Sequence, residues 1–203
     1  MDEAFERVLR HYNERAERES KRRHAASVDD LLLHVGEKVA RVLHSLAVAR
    51  GAKRIVELGT SYGYSTLFLA AAAKQTGGRL LTFDVAENKQ AYARERLDEA
   101  GLADHVDWML GDALDLLDDL KGPVDFVLID LWKDLYVPCF EKLYPKLADN
   151  ALIAADNMIY PEGARRHAAA YSAAVRAKPD MESVLLPIGS GIELSCLWRK
   201  PVL

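Results

Sequence analysis

Cysteine is scarce. The 203-residue chain holds two, Cys139 and Cys196, far apart and without CxxC spacing, which excludes a disulfide framework and a thiolate zinc site. A reducing cytoplasm fits that usage. No charge of one sign dominates: Lys+Arg 27 against Asp+Glu 31 leaves a net charge of −4 and a pI near 5.9, so no surface is built to neutralise a phosphate backbone. A dedicated nucleic-acid partner is not expected. Long hydrophobic runs are missing too. The longest, residues 67–73, falls far short of the roughly 20 residues of a membrane span, so no membrane partner is expected either. The opening Met-Asp-Glu-Ala-Phe-Glu-Arg is too acidic for a signal peptide. No internal repeat or low-complexity linker occurs. The six histidines (His11, His24, His34, His44, His105 and His167) show no paired ligand spacing and read as surface or core, with a site-facing position the lesser alternative for His34, beside Val35.

What is present is enough to fold. Apolar residues make up 50% and charged residues 29%, a balance that buries a sizeable core, and the length suits one domain with a small appendage. Residues 1–26 read as an N-terminal charged helix. Phe5, Val8, Leu9 and Tyr12 form its narrow apolar stripe, and a solvated face, a cap over a site and an oligomer contact all remain open for it. Residues 27–203 read as the main domain. Its first helix is expected from about Ser27, an N-cap ahead of Asp29 and Asp30, to a C-terminal glycine at Gly51, with Gly36 as a potential break.

From Lys53 onward, apolar runs at 54–56, 80–83, 106–110, 124–129 and 151–155 alternate with amphipathic stretches, which predicts βαβ units and a parallel sheet covered on both faces. Runs at 183–188 and 192–198 are separated only by Gly189-Ser190-Gly191, which predicts an antiparallel hairpin. The expected fold class is α/β: a Rossmann-like, doubly wound, mostly parallel seven-stranded sheet with a C-terminal antiparallel hairpin and extra N-terminal helices.

Ligands of open α/β sheets bind outside the carboxyl ends of the strands, so the residue after each run is informative. Those residues are mostly acids: Glu57, Asp84, Asp130 and Asp156. A single such acid is usually a turn former or helix cap, but four converging on one crevice are costly unless cations or hydroxyl donors meet them. The first run leads into Glu57-Leu58-Gly59-Thr60-Ser61-Tyr62-Gly63-Tyr64-Ser65, a glycine turn that lets a ligand approach the backbone. Ser61 stands where a dinucleotide fingerprint needs its second glycine, which weakens an NAD reading. Asp84, 25 residues beyond Gly59, is placed to accept from ribose hydroxyls, so an adenosine-containing ligand is expected.

That stretch, with Asp84 and Gly111-Asp112-Ala113, resembles the cofactor motifs of class I S-adenosylmethionine-dependent methyltransferases. Asp130-Leu131-Trp132-Lys133-Asp134-Leu135-Tyr136 and Ala155-Asp156-Asn157 resemble catechol O-methyltransferases and the caffeoyl-CoA type, from about residue 30 to the end. The resemblance implies an S-adenosylmethionine site at Val35, Glu57, Gly59, Tyr62, Gly63, Ser65, Asp84, Asp112, Ala113, Asp130 and Trp132. It implies Mg2+ or another divalent cation on Asp130, Asp156 and Asn157, and Lys133 as general base. Lys133, Asn157, Tyr160 and Pro161 would face a small-molecule phenolic substrate; Met158, Tyr160 and Pro161 read equally well as ordinary packing. A homodimer is among the compatible assemblies.

Elementary chemistry agrees with this implication. Magnesium takes about six oxygens and usually keeps positions for water and substrate, so three protein ligands suffice. A chelated vicinal diphenol loses its proton near neutrality, far below a phenol's usual pKa of about 10. Lys133 must itself be neutral to act as base, which a nearby cation and partial burial favour. Two departures leave the acceptor open: Leu31 stands where the animal catechol enzyme has a tryptophan, and Pro187 aligns with the acid that accepts the second hydroxyl. The alternative acceptors are CoA-thioester phenolics and specialised metabolites.

Other readings fit less well. Pro138-Cys139 resembles the nucleophile pair of RNA cytosine-5 methyltransferases, but eight residues separate Asp130 from Cys139, inside an expected helix. An amino-methyltransferase needs an Asn/Asp-Pro-Pro-aromatic turn, and Asp130-Leu131-Trp132-Lys133 is not one. A non-catalytic adenosine-binding module has no reason to keep Asp130, Lys133, Asp156 and Asn157 together.

Overall fold

A computed structural model describes residues 1–21 and 30–198. In chain order the elements are α1 (Glu3–Lys21), α2 (Glu37–Arg50), β1 (Arg54–Leu58), α3 (Tyr64–Thr76), β2 (Arg79–Asp84), α4 (Glu87–Glu99) and β3 (Val106–Leu110). There follow α5 (Ala113–Asp119), β4 (Val124–Ile129), α6 (Tyr136–Leu143), β5 (Leu147–Ala155), α7 (Arg165–Arg176), β6 (Met181–Leu186) and β7 (Ile192–Leu197). The seven apolar runs become seven strands in the order β3-β2-β1-β4-β5-β7-β6. β1 to β5 pair in parallel, and β7 pairs antiparallel with both β5 and β6, as expected for a βαβ chain ending in a hairpin.

Alternation along the strands divides the core. Ile55, Leu80, Phe126, Leu128 and Ala154 face a layer that holds α1, α2 and α3, whereas Val56, Leu58, Phe83, Val127, Ile129 and Ala155 face α5, α6 and α7. The α1 stripe, Phe5, Val8, Leu9 and Tyr12, is fully buried in the first of these layers. Among the described residues no helix is long and apolar enough to cross a membrane.

Gly51 ends α2 in the left-handed conformation, as expected. The start differs. Helix α2 begins at Glu37, after Gly36 with φ of 84°, and residues 31–35 form no helix. The chain ahead of Gly36 is held by α1 instead: Arg15 donates to the Asp30 carbonyl at 2.9 Å, and Glu19 accepts the Leu32 N–H at 2.8 Å. Ser27, the expected cap, and His24 lie outside the described residues. Cys139 is buried in α6 and its thiol is pushed up to about 12 by burial, as befits a packing residue rather than a nucleophile.

Candidate active site

Strand register places the site. Leu58 of β1 pairs with Phe83 and Ile129, and Ile129 pairs with Ala155, so these four form one row across the sheet. The residues that leave this row are Gly59, Asp84, Asp130 and Asp156. The parallel ladder continues one bond further, with the Asp130 N–H reaching the Leu58 carbonyl at 2.9 Å and the Asp156 N–H reaching Ile129 at 3.1 Å. A cleft of about 890 Å³ opens above them, within the range of small-molecule sites.

One wall of the cleft contains Gly59, Ser61, Asp84, Gly111, Asp112 and Ala113; the other contains Asp130, Trp132, Lys133, Asp156, Asn157 and Pro161. Asp30, Leu33 and His34 sit at its mouth, and Asn88 and Lys89 extend the first wall. Gly59 is required where it stands, at φ of 103°: a Cβ there would lie 2.1 Å from the Asp130 carbonyl oxygen, so only glycine lets β1 and β4 leave the sheet side by side. Asp84 shapes the turn as well as facing the cleft, since its carboxylate accepts the N–H of Ser61 at 2.7 Å and of Ala86 at 2.8 Å. Asp112 caps α5 by accepting from Leu114 at 2.8 Å.

Several expected residues fall elsewhere. Val35, Tyr62, Gly63, Ser65 and Tyr160 do not line the cleft, and neither does Glu57. Strand β1 runs two residues beyond its apolar core, so Glu57 sits two rows below the acids, paired in register with Thr82 and Leu128. Three of the four expected carboxylates therefore converge. Glu57 is fully buried and accepts from Ser65 Oγ at 2.6 Å, Thr66 Oγ1 at 2.7 Å and Thr82 Oγ1 at 2.6 Å. Thr82 in turn meets Thr60, which accepts from Gln90. This polar chain supports the glycine turn from beneath, and burial pushes the Glu57 carboxyl up to about 7 against the pull of its three hydroxyl donors.

The opposite wall holds the reactive groups. Lys133 Nζ donates to the Leu131 carbonyl at 3.0 Å, to Tyr136 OH at 2.5 Å and to Asp130 Oδ1 at 3.3 Å. Tyr136 OH donates onward to the Asp156 carbonyl at 3.0 Å. Burial raises the Asp130 carboxyl against the opposing pull of Lys133, and the Asp156 carboxyl is raised by burial and then by the charge of Asp130. Asp156 Oδ1 is buried without a hydrogen-bond partner. Such an orphaned acceptor beside a second carboxylate fits a divalent cation, which would lift both penalties. Among the described residues no three histidines, cysteines or acids are arranged to hold a metal ion by themselves, so an ion here would rest on Asp130, Asp156 and the Asn157 amide, with other oxygens from water or ligand.

Sequence reasoning undervalued three residues, two that line the cleft and one buried behind it. His34 and Leu33 reach the mouth because the chain before α2 is irregular rather than helical, with Leu33 in the left-handed region at φ of 44°. Tyr136 stands three residues after Lys133, and that spacing, which puts two side chains on one helical face, is the signal that could have found it.

Comparison with known proteins places these features in context. The family model described as O-methyltransferase matches residues 13–198. Catechol O-methyltransferase of Bos taurus is 30% identical over 169 residues, covering 77% of this chain and 62% of that protein. Catechol O-methyltransferase of Niastella koreensis is 36% identical over 131 residues, covering 63% and 59%. This chain thus spans about six-tenths of those relatives' length. Caffeoyl-CoA O-methyltransferase 1 of Eucalyptus globulus is 30% identical over 172 residues, covering 75% and 70%. Among solved structures, the O-methyltransferase TomG of Streptomyces achromogenes, involved in tomaymycin synthesis and bound to SAM, superimposes with a TM-score of 0.80 at 27% identity, covering 98% of this chain and 91% of that one.

Proposed function

The chain belongs to the O-methyltransferase family, and we propose that it moves the methyl group of S-adenosylmethionine to one hydroxyl of a catechol-like small molecule with the help of a divalent cation such as magnesium. The observation that carries this reading is the meeting of Lys133 Nζ, Asp130, Asp156 and Asn157 on one wall of the cleft, opposite the glycine turn, Asp84 and Asp112.

In this reading Asp84 accepts the cofactor's ribose hydroxyls, Asp112 and Ala113 flank its base, and Gly59 admits it close to the backbone. Asp130, Asp156 and Asn157 would hold the cation, which when bound would lower the pKa of a neighbouring phenol. Lys133 takes the proton of the reacting hydroxyl. The oxygen then attacks the sulfonium methyl in line: an O–C bond forms, the C–S bond breaks, and its electron pair stays on sulfur, leaving S-adenosylhomocysteine. The walls contribute by keeping oxygen and carbon in near-attack geometry. The free thiols of Cys139 and Cys196 support a reducing cytoplasm as the place of action.

The test is a methyl-transfer screen over vicinal diphenols, with caffeoyl-CoA and monophenols as further arms, each in EDTA and in magnesium. Turnover of a vicinal diphenol that EDTA abolishes and magnesium restores is expected. Full turnover in EDTA would remove the cation, and transfer to caffeoyl-CoA alone would reassign the acceptor to the CoA-thioester class.

A further inference from the structure

We propose that Tyr136 is the positioning residue for Lys133, tying the lysine amine to the end of β5 so that it addresses a hydroxyl held beside Asp156. The inference rests on Lys133 being the base.

Tyr136 is fully buried as the first residue of α6, and its ring is fixed edge-on against Tyr171 with centroids 5.7 Å apart. Its single hydroxyl hydrogen is committed to the Asp156 carbonyl at 3.0 Å, so only its lone pairs face Lys133 Nζ at 2.5 Å. The direction of both bonds follows. Lysine carries its amine on a flexible four-carbon stem and does not hold a position unaided. Here three acceptors, Leu131 O, Asp130 Oδ1 and Tyr136 OH, match the three N–H groups of an ammonium, which is the state Lys133 reaches after taking a substrate proton. Two of the three belong to the lysine's own turn after β4. Tyr136 alone connects the amine to β5, the strand whose end carries Asp156 and Asn157. Without that hydroxyl the amine stays near β4 but loses its alignment with the acceptor side, and proton transfer is sensitive to such misplacement.

The experiment compares wild type, Tyr136→Phe, Lys133→Ala and the double variant, using a vicinal diphenol that wild type methylates. Tyr136→Phe is expected to lower kcat about tenfold, the loss of one hydrogen bond to a charged group, while KM and S-adenosylhomocysteine affinity stay within about twofold. The double variant is expected to be no slower than Lys133→Ala, because Tyr136 acts only through the lysine. An activity-independent measurement accompanies these rates. In ligand-free protein labelled with 15N-lysine and held at a pH low enough to protonate the amine, the Lys133 ammonium resonance is expected to be sharp in wild type and broadened by solvent exchange in Tyr136→Phe. If Tyr136→Phe fails to fold, 3-fluorotyrosine at position 136 keeps ring and hydroxyl while weakening the acceptor, and is expected to lower kcat about two- to threefold. Wild-type kcat in Tyr136→Phe or the fluorinated protein overturns the proposal, as does a Tyr136→Phe loss that persists in full on the Lys133→Ala background. If Lys133→Ala itself costs nothing, the reading of Lys133 as base falls and this inference falls with it, an outcome separable from failure of Tyr136→Phe alone.

Discussion

Replacing Glu57 by glutamine tests the polar support beneath the glycine turn. Its carboxyl is fully buried and pushed up to about 7, against an ordinary value of 4.5. An acid raised in the folded state binds its proton more tightly there than in the unfolded chain. Below pH 4.5 both states are protonated and this group's contribution is fully present; as pH climbs towards 7 the unfolded chain ionises first, and stability is lost until the folded carboxyl ionises too. The gap of about 2.5 units corresponds to about 3 kcal/mol, or about 6–12 °C in Tm for a domain of this size. Glutamine cannot ionise, and the hydroxyls of Ser65, Thr66 and Thr82 can rotate to meet its amide. Other carboxylates titrate in both proteins, so the quantity to read is the difference between wild type and Glu57→Gln. Urea unfolding of the ligand-free proteins from pH 4.5 to 8 should show that difference moving by about 3 kcal/mol in favour of Glu57→Gln, then levelling above pH 7. Parallel curves across the range would refute the reasoning and mean that Glu57 is ionised in the fold.

Lys133→Ala should lower kcat by about 10²–10⁴ with cofactor binding intact, and higher pH should recover part of the loss by supplying phenolate without the base, as kinetics and calorimetry would show. Asp84→Ala should weaken S-adenosylmethionine binding by about 1–3 kcal/mol, because bound hydroxyls and the N–H groups of Ser61 and Ala86 all lose their acceptor; equal affinity would take Asp84 out of the site. Arg15→Ala should lower Tm and weaken cofactor binding together. That one guanidinium pairs with Glu19 at 2.7 Å, holds the Asp30 carbonyl and lies 3.9 Å from the Tyr62 ring centroid, so it ties α1 to the cleft mouth and the glycine turn at once. A fall in Tm with unchanged affinity would confine its role to folding.

Much of this was legible in the chain itself. Runs that alternate with amphipathic stretches announce βαβ units, the short Gly189-Ser190-Gly191 connection announces the hairpin, and Gly51 announces a helix end, because each depends on residues close in sequence. Asp84, Asp130 and Asp156 could be placed at strand ends for the same reason, and Lys133 follows Asp130 closely enough for one turn to carry both. Gln90, buried in α4 and donating to Thr60 at 3.0 Å, gave no such signal, since a glutamine on a charged helix reads as a solvated residue.

Tertiary structure decided the rest. Glu57 looked like a fourth acid in the crevice because the apolar run stopped at Val56, yet Leu58 is the residue in register with Phe83 and Ile129, and that leaves Glu57 one row inside the sheet. Likewise the chain before Gly36 could have continued a helix, but Arg15 and Glu19 of α1 satisfy its backbone and turn Leu33 and His34 to the cleft. Periodicity is a property of neighbours along the chain. Register, and the side of the sheet on which a given carboxylate emerges, is set by hydrogen bonds between strands far apart in sequence, and only the assembled sheet determines it.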